Sequence, residues 1–387
     1  MNTGLWMIGA RGSVATTVIA GLAAVRRGRH DPVGCVTTLE PFRGVPLPDF
    51  DELLCGGHDI AGPDLVKRAE ELVADGVLPA GLPSLIADDL EAANARIRPG
   101  TDGTSDDPAS VIRGLTADLV EFRERNHLDT VVVVNLSSTE PPVSPHPAHA
   151  SLAALRQALR EPSVPGGDAL LPASSLYAYA AFEAGCAYVD FTPSTGARLP
   201  ALTELARLRA VPFTGSDGKT GETLVKSVLA PMFARRALRV RSWSGTNLLG
   251  GGDGATLEAP GPVNSKAASK ALVVQSTLGH SVDGGVHIHN VPALGEWKTA
   301  WDHITFEGFL GARMSLQFTW QGCDSALAAP LVLDLARLMA AACRAGRSGP
   351  MTDLGFFFKD PVDGHEHVLE RQFSDLVDWA RGLRTAA

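Results

Sequence analysis

The sequence predicts an α/β protein in two parts: a doubly wound domain on a parallel sheet, then a smaller α+β domain with an open sheet. Three observations carry this. The N-terminal run LWMIGARGSVATTVIAGLAAVRRG reads as buried strand, glycine turn and helix. LDTVVVVNLSS is an uninterrupted apolar run, the pattern of a strand buried on both faces of a parallel sheet. After residue 238 the texture changes to segments rich in β-branched and aromatic residues, with few helical stretches between them.

The first turn is Gly9-x-x-Gly12-x-x-Ala15, a relaxed form of the dinucleotide fingerprint. Gly9 allows the tight turn, Gly12 lets backbone approach a pyrophosphate, and Ala15 permits close helix–strand packing. Gly9, Arg11, Gly12, Ser13 and Val14 are therefore candidate cofactor contacts. PVGCVTTLE follows as the expected second strand. The acid that would bind a ribose about 20 residues on has two candidates, Glu40 and, in GGHDI, Asp59. Residues 62–130 alternate helical segments with a Pro/Gly/Asp-rich surface loop, RPGTDGTSDDP.

The strand LDTVVVVNLSS ends in small polar residues, and ligands of open α/β sheets sit at strand carboxyl ends. Asn135, Ser137 and Ser138 are accordingly placed in the cofactor crevice, unless they merely open the Pro-rich TEPPVSPHPAH turn. SSLYAYAAFEAGCAYVDFTPS repeats helix, glycine, strand and polar turn, with Thr195 just beyond as a further cofactor candidate. The doubly wound domain thus occupies residues 1–214. The second domain, 215–324, holds the strand-like segments LRVRSWSGTNLLG, VHIHNVPAL, HITFEGFL and RMSLQFTWQG. Residues 325–387 supply a long apolar helix, a short strand at FFFKD and an amphipathic terminal helix, a tail that packs back on the first domain.

Composition narrows the function. A net charge of −9 gives no overall pull toward nucleic acid or an anionic membrane. No apolar run reaches the ~18 residues of a membrane helix, because Asp334 and Arg337 interrupt the best candidate. The five cysteines are scattered and form no CxxC pair, and the N-terminus lacks a signal-peptide pattern. Both point to a cytoplasmic protein. No metal-ligand spacing stands out; His287 and His289 belong to an ordinary strand.

The lysines are sharper. There are only seven among 34 basic residues, and six lie between residues 219 and 359: Lys219, Lys226, Lys266, Lys270, Lys298 and Lys359. Lysine is a compact charge that can lose its proton when desolvated, which suits acid/base work better than arginine. These six are expected to form one site, and segments such as GEWKTAWD pair a lysine or aspartate with a turn. In SKAASK, Lys266 and Lys270 stand at i,i+4 and would repel on a helix unless an anion lies between them. The segment GSDGKTGETLVKS lies between a strand and a helix like a P-loop, yet Phe213 occupies the position of the first Walker glycine.

These segments together resemble the myo-inositol-1-phosphate synthase family. Its GDDxKSGQT block reads here as GSDGKTGET, NHLGNNDG as NLLGGGDG, SKxxSK as SKAASK and GDSKxAMDE as GEWKTAWDH. Its EDSLLAAP reads as CDSALAAP and its FxxKAP as FFFKDP, six blocks in order over most of the chain. The resemblance implies an NAD-dependent, redox-neutral isomerase of inositol biosynthesis, working on a sugar phosphate as a homotetramer that meets through the second domain's sheet.

By the same resemblance, Lys266 carries the proton transfers at C5 with Lys359 beside it. Lys270 and Lys298 bind phosphate or stabilise oxyanions. Asp217 and Asp324 orient the lysines and contact cofactor or substrate. Thr220, Gly221, Glu222 and Thr223 form the phosphate cradle, with Asn247 and Asp253 near the nicotinamide and substrate. The chain departs from the family at Glu222 (glutamine there), Leu224 (lysine), Gly251 and Gly252 (asparagines) and Glu296 (aspartate). Glu222 would repel a phosphate unless it turns away or pairs with a lysine. The departures leave open a cyclase acting on another hexose phosphate, and a plain NAD-dependent dehydrogenase is the reading of a different class.

Overall fold

A computed structural model describes residues 2–60, 62–105, 107–161, 169–250, 277–364 and 366–383. Seven parallel strands form the larger sheet: β1 (Thr3–Ile8), β2 (Leu53–Asp59), β3 (Ile97–Pro99), β4 (Thr130–Asn135), β5 (Ala187–Asp190), β6 (Pro212–Gly215) and β11 (Gly349–Pro350). Their spatial order is β11-β6-β5-β4-β1-β2-β3, the doubly wound order with one strand added at the edge.

Alternation along β1 and β4 explains the two layers of helix. Leu5, Met7, Val132 and Val134 point to one face, covered by α1 (Ser13–Arg26), α2 (Leu65–Ala74), α3 (Leu82–Leu85), α4 (Ala87–Asn94) and α10 (Asp324–Arg344). Trp6, Ile8, Val131 and Val133 point to the other, covered by α5 (Pro108–Arg125), α6 (Leu152–Ala158), α7 (Ala173–Glu183) and α8 (Pro200–Leu208). Each such buried side chain stabilises the fold by about 1.5–3 kcal/mol. Both sides of the strands being buried is why they read as continuous apolar runs.

The second sheet has the order β10-β9-β7-β8, from β7 (Arg239–Leu249), β8 (Val286–Asn290), β9 (Trp297–Glu307) and β10 (Arg313–Cys323). β9 pairs antiparallel with β7 and β10, whereas β7 and β8 run parallel. Helix α9 (Glu222–Arg235) packs Ala230 and Phe233 onto Val240, Trp243 and Ile304 of its inner face. The last helix, α11 (Leu369–Gly382), joins the same core as α1 and α10 through Leu376, Val377 and Ala380.

Three sequence expectations are corrected. PVGCVTTLE is not a strand but two short helical turns, Val36–Thr38 and Glu40–Phe42, and the second strand is Leu53–Asp59. The reason is a side chain 298 residues further along the chain: Asp334 of α10 accepts the Val36 N–H at 2.6 Å and the Thr37 N–H at 3.3 Å, taking groups a ladder would need. FFFKD is likewise not a strand; a helical turn covers Thr352–Phe357, and only Phe358 bridges Gly218. GEWKTAWD, read as a turn, lies largely on β9.

Helix α10 is, by length and composition, apolar enough to cross a membrane, but it is packed inside the protein. Its two charged interruptions are structural. Asp334 also receives the Thr37 hydroxyl, and Arg337 Nε donates to Pro48 O at 2.8 Å with its guanidinium over the Phe50 ring. Burial pushes the Asp334 carboxyl up to about 7 against the pull of those donors. Asp334→Ala is expected to cost about 2 kcal/mol, since it leaves the buried Thr37 amide and the half-buried Val36 amide without that acceptor. Urea denaturation checks this, and an unchanged midpoint would remove Asp334 as the anchor of the 36–50 segment.

Candidate active site

The cofactor crevice forms at the carboxyl ends of β1, β2 and β4. Gly9 has φ +77, and a Cβ there would stand 3.1 Å from Leu136 O, so glycine is required on two grounds. Gly12 caps α1 in extended conformation with no side chain in its first turn serving as a cap. The free helix start is a place for a phosphate. Asp59, at the end of β2, accepts the Arg11 N–H through Oδ2 at 2.7 Å and so stands beside the glycine turn. Glu40 lies in the helical turn instead. Glycine turn, exposed Gly12 and terminal carboxylate fit a dinucleotide.

Asn135 is buried and committed: its Nδ2 donates to Asp190 Oδ1 at 2.9 Å, and its Oδ1 accepts the Ser137 hydroxyl at 2.7 Å. It holds the turn that carries Ser137 and the exposed Ser138. Burial pushes the Asp190 carboxyl well above the usual carboxylate range, against that Asn135 hydrogen bond. Thr195 lies in the turn beyond β5, where its N–H reaches Glu140. Ser13 and Val14 open α1. Ser13 Oγ donates to Glu296 Oε1 at 2.7 Å, and Arg68 Nη2 reaches the same oxygen at 2.9 Å. This joins the cofactor turn to the second domain, a contact that no local sequence pattern signals.

The segment 215–221 forms the facing wall. It is woven to the late lysine segment by backbone: Ser216 N–H to Asp360 O at 2.7 Å, Lys219 N–H to Phe357 O at 2.8 Å, and Lys359 N–H to Asp217 O at 2.7 Å. Side chains complete the join, with Lys359 Nζ 2.7 Å from Asp217 Oδ1. Lys298, from β9, pairs with Asp324 at the start of α10, and Thr220 Oγ1 donates to the same carboxylate at 2.9 Å. Burial pushes the Asp324 carboxyl up, but Lys298, Lys359 and Thr220 outweigh it and hold it below the usual range. Lys219 is buried and donates to Gln372 of α11. Burial, with the Lys359 charge alongside, pulls its pKa from 10.5 down to about 7. Three lysines thus converge at one place with two carboxylates. At neutral pH one of them is poised between proton donor and acceptor.

Lys226 does not join them, contrary to the expectation of a single lysine cluster. It is buried against Glu222, one helical turn away, with Asp302 Oδ1 at 3.3 Å. Trp243 Nε1 donates to that Asp302 oxygen at 2.7 Å. Burial pushes the Asp302 carboxyl up while Lys226 pulls it back. Glu222 therefore meets the condition set by its sequence: its carboxylate, at the start of α9, is paired with a lysine. Lys266, Lys270, Asp253, Gly251 and Gly252 lie outside the described residues.

The inner face of the second sheet lies over this loop. Asn247 of β7 pairs with Ala300 of β9, which pairs with Trp320 of β10. Among the described residues, both side-chain atoms of fully buried Asn247 lack a hydrogen-bond partner. So do the Trp320 indole N–H, Thr223 Oγ1 and Asp302 Oδ2. Buried polar groups without partners are rare, and a cluster of them at one place is what a ligand site looks like before its ligand.

A family model described as myo-inositol-1-phosphate synthase matches residues 3–381. The chain belongs to that family. An inositol-3-phosphate synthase of Bacteroides thetaiotaomicron is 33% identical over 95% of this chain and 91% of its own length. The crystal structure of inositol-3-phosphate synthase from Caenorhabditis elegans matches 99% of this chain and 86% of that one with a TM-score of 0.84 at 23% identity. A myo-inositol-1-phosphate synthase-related protein from Thermotoga maritima covers 97% of this chain and 98% of its own with a TM-score of 0.77 at 24% identity. At such identities the structural matches speak for the fold. Family membership brings the sequence blocks into one frame. GSDGKTGET, GEWKTAWDH, CDSALAAP and FFFKDP are far apart in sequence, yet Lys219, Lys298 and Lys359 from them meet around Asp217 and Asp324. Sequence reasoning missed Asp302, Gln372 and Trp320. Only a charged or amide residue at an inward strand or helix position could have signalled the first two, and that requires knowing which face is inward.

Proposed function

We propose that this chain converts glucose 6-phosphate to 1L-myo-inositol 1-phosphate in an NAD-dependent, redox-neutral cyclisation. The observation that carries the reading is the convergence of Lys219, Lys298 and Lys359 with Asp217 and Asp324 beside the start of α9. NAD, held by the Gly9–Val14 turn and Asp59, would supply a hydride acceptor for sugar C5 and later the returning hydride. The lysines do the rest. Lys359, held by Asp217, moves the C5 hydroxyl proton together with Lys266, the family's residue for that role. With C5 as a ketone, C6 becomes acidic, and a neutral amine such as Lys219 can take its proton. The resulting enolate carbon bonds to the C1 aldehyde carbon, and the new C1 oxyanion is stabilised by Lys298 and Lys270 and protonated there. Burial strengthens each of these interactions. Thr220, Gly221 and Thr223 with the N–H groups opening α9 hold the phosphate, and Asn247 reads the chain.

The residues that replace family ones, Glu222 and Gly251–Gly252, favour one second reading: the same cyclisation on another hexose phosphate such as fructose 6-phosphate. Incubation with NAD and each hexose 6-phosphate, read by NMR, separates the two. A carbocycle from glucose 6-phosphate without net NADH supports the first reading. Turnover of only another sugar replaces it with the second, and accumulating NADH would make the chain a plain dehydrogenase.

The same reading makes the protein a cytoplasmic homotetramer. Its support is the absence of any disulfide among five cysteines and an apolar display on the second sheet and the turn joining β9 to β10: Trp301 and Met314 on the strands and Phe309 and Leu310 in the turn are all exposed.

A further inference from the structure

Among the described residues the Trp320 indole N–H has no acceptor, although its nitrogen is buried. The two positions flanking it are glycines. A Cβ on Gly221 would stand 2.9 Å from Trp320 Nε1 and 3.4 Å from Lys298 Cε, and one on Gly322 would stand 3.1 Å from the same nitrogen. The N–H therefore lies at the residue that caps α9, next to a cation. Among the described residues a second donor at this helix start is also without a partner: the hydroxyl of Thr223, only 1% exposed and in the first turn of α9. Among the described residues Trp6, Trp243 and Trp297 each donate their N–H to an acceptor, so the state of Trp320 is not the habit of this fold.

We propose that Trp320 is a specificity-determining residue whose indole N–H donates to the phosphate of the bound sugar phosphate, closing the cradle from the sheet side. The inference rests on the functional reading above. An anion is the ligand that all these groups share: a helix start carrying partial positive charge, two unused donors and the ammonium of Lys298. A sugar hydroxyl would gain less from the arrangement, being uncharged and needing an acceptor as much as a donor. The arrangement leaves the sugar itself for Asn247, which lies across Ala300 on the same row of the sheet, two strand spacings or roughly 9–10 Å from Trp320.

Trp320→Phe keeps the ring and removes only the donor. It is expected to raise KM for the hexose phosphate about tenfold or more, with kcat and NAD affinity little changed. Independently, titrating inorganic phosphate into protein carrying 15N-labelled tryptophan is expected to move one indole N–H resonance, the one missing in W320F. An unchanged KM with no moving resonance overturns the proposal. A raised KM with no response to phosphate also overturns it, because the N–H would then serve a hydroxyl. If W320F does not fold, single phenylalanine replacements at the other five of the six tryptophans assign the resonance, and the phosphate titration decides. A wild-type protein that turns over no glucose 6-phosphate would sink the functional reading, while the phosphate titration would still test Trp320.

Discussion

Lys359→Met is expected to lower kcat by roughly 10³-fold while leaving NAD affinity within about twofold, the range for loss of a positioned proton-transfer group. The asymmetry follows from position. Lys359 Nζ sits 2.7 Å from Asp217, in the loop after β6, whereas the glycine turn and Asp59 follow β1 and β2, on the other side of β4 and β5 in the sheet order. The substitution also removes the charge that helps to depress Lys219, so the Lys219 pKa should rise from about 7 toward the ordinary lysine value. Burial, the larger cause, stays in place and limits that rise. Steady-state kinetics and titration of NAD into the variant check the first claim. Activity within tenfold of the wild type would remove Lys359 from the chemistry and place the proton transfers on other lysines.

Lys226→Met should be the most damaging single change to stability, about 3–5 kcal/mol. Lys226 and Glu222 are both buried, and Asp302 is fully so. Without the ammonium, two carboxylates face one another out of water. Glu222→Gln in the same chain removes one of those charges, so the double variant should recover part of the loss. The coupling between the two sites, measured as a double-mutant cycle in urea, is the quantity that decides. Equal midpoints for wild type and K226M would mean that the buried cluster does not hold the start of α9.

Both predictions bear on why the cradle tolerates an acid. Glu222 looks hostile to phosphate when read along the chain. In three dimensions it belongs to a charge cluster at the helix start, its carboxylate paired with Lys226. Trp320 shows the converse. Along the chain it is one aromatic of an ordinary strand, and only the sheet register brings its N–H to Gly221.

The sequence by itself determined the doubly wound domain, the glycine turn and the blocks that mark the family. Those features are local: a strand buried on both faces is continuously apolar, a tight turn demands glycine, and a motif keeps its spacing. The lysines of the site were nameable because lysine is scarce here. The tertiary structure alone decided what depends on distant partners. Asp334 of α10 turned PVGCVTTLE from a strand into helical turns by binding its N–H groups. Asp59 rather than Glu40 came to end β2 for the same reason. Lys226 left the lysine group because Glu222 and Asp302 lie within reach of it and the carboxylates of the site do not. Charge pairing acts over a few ångströms of space, and no pattern along the chain records which residues, far apart in sequence, will share them.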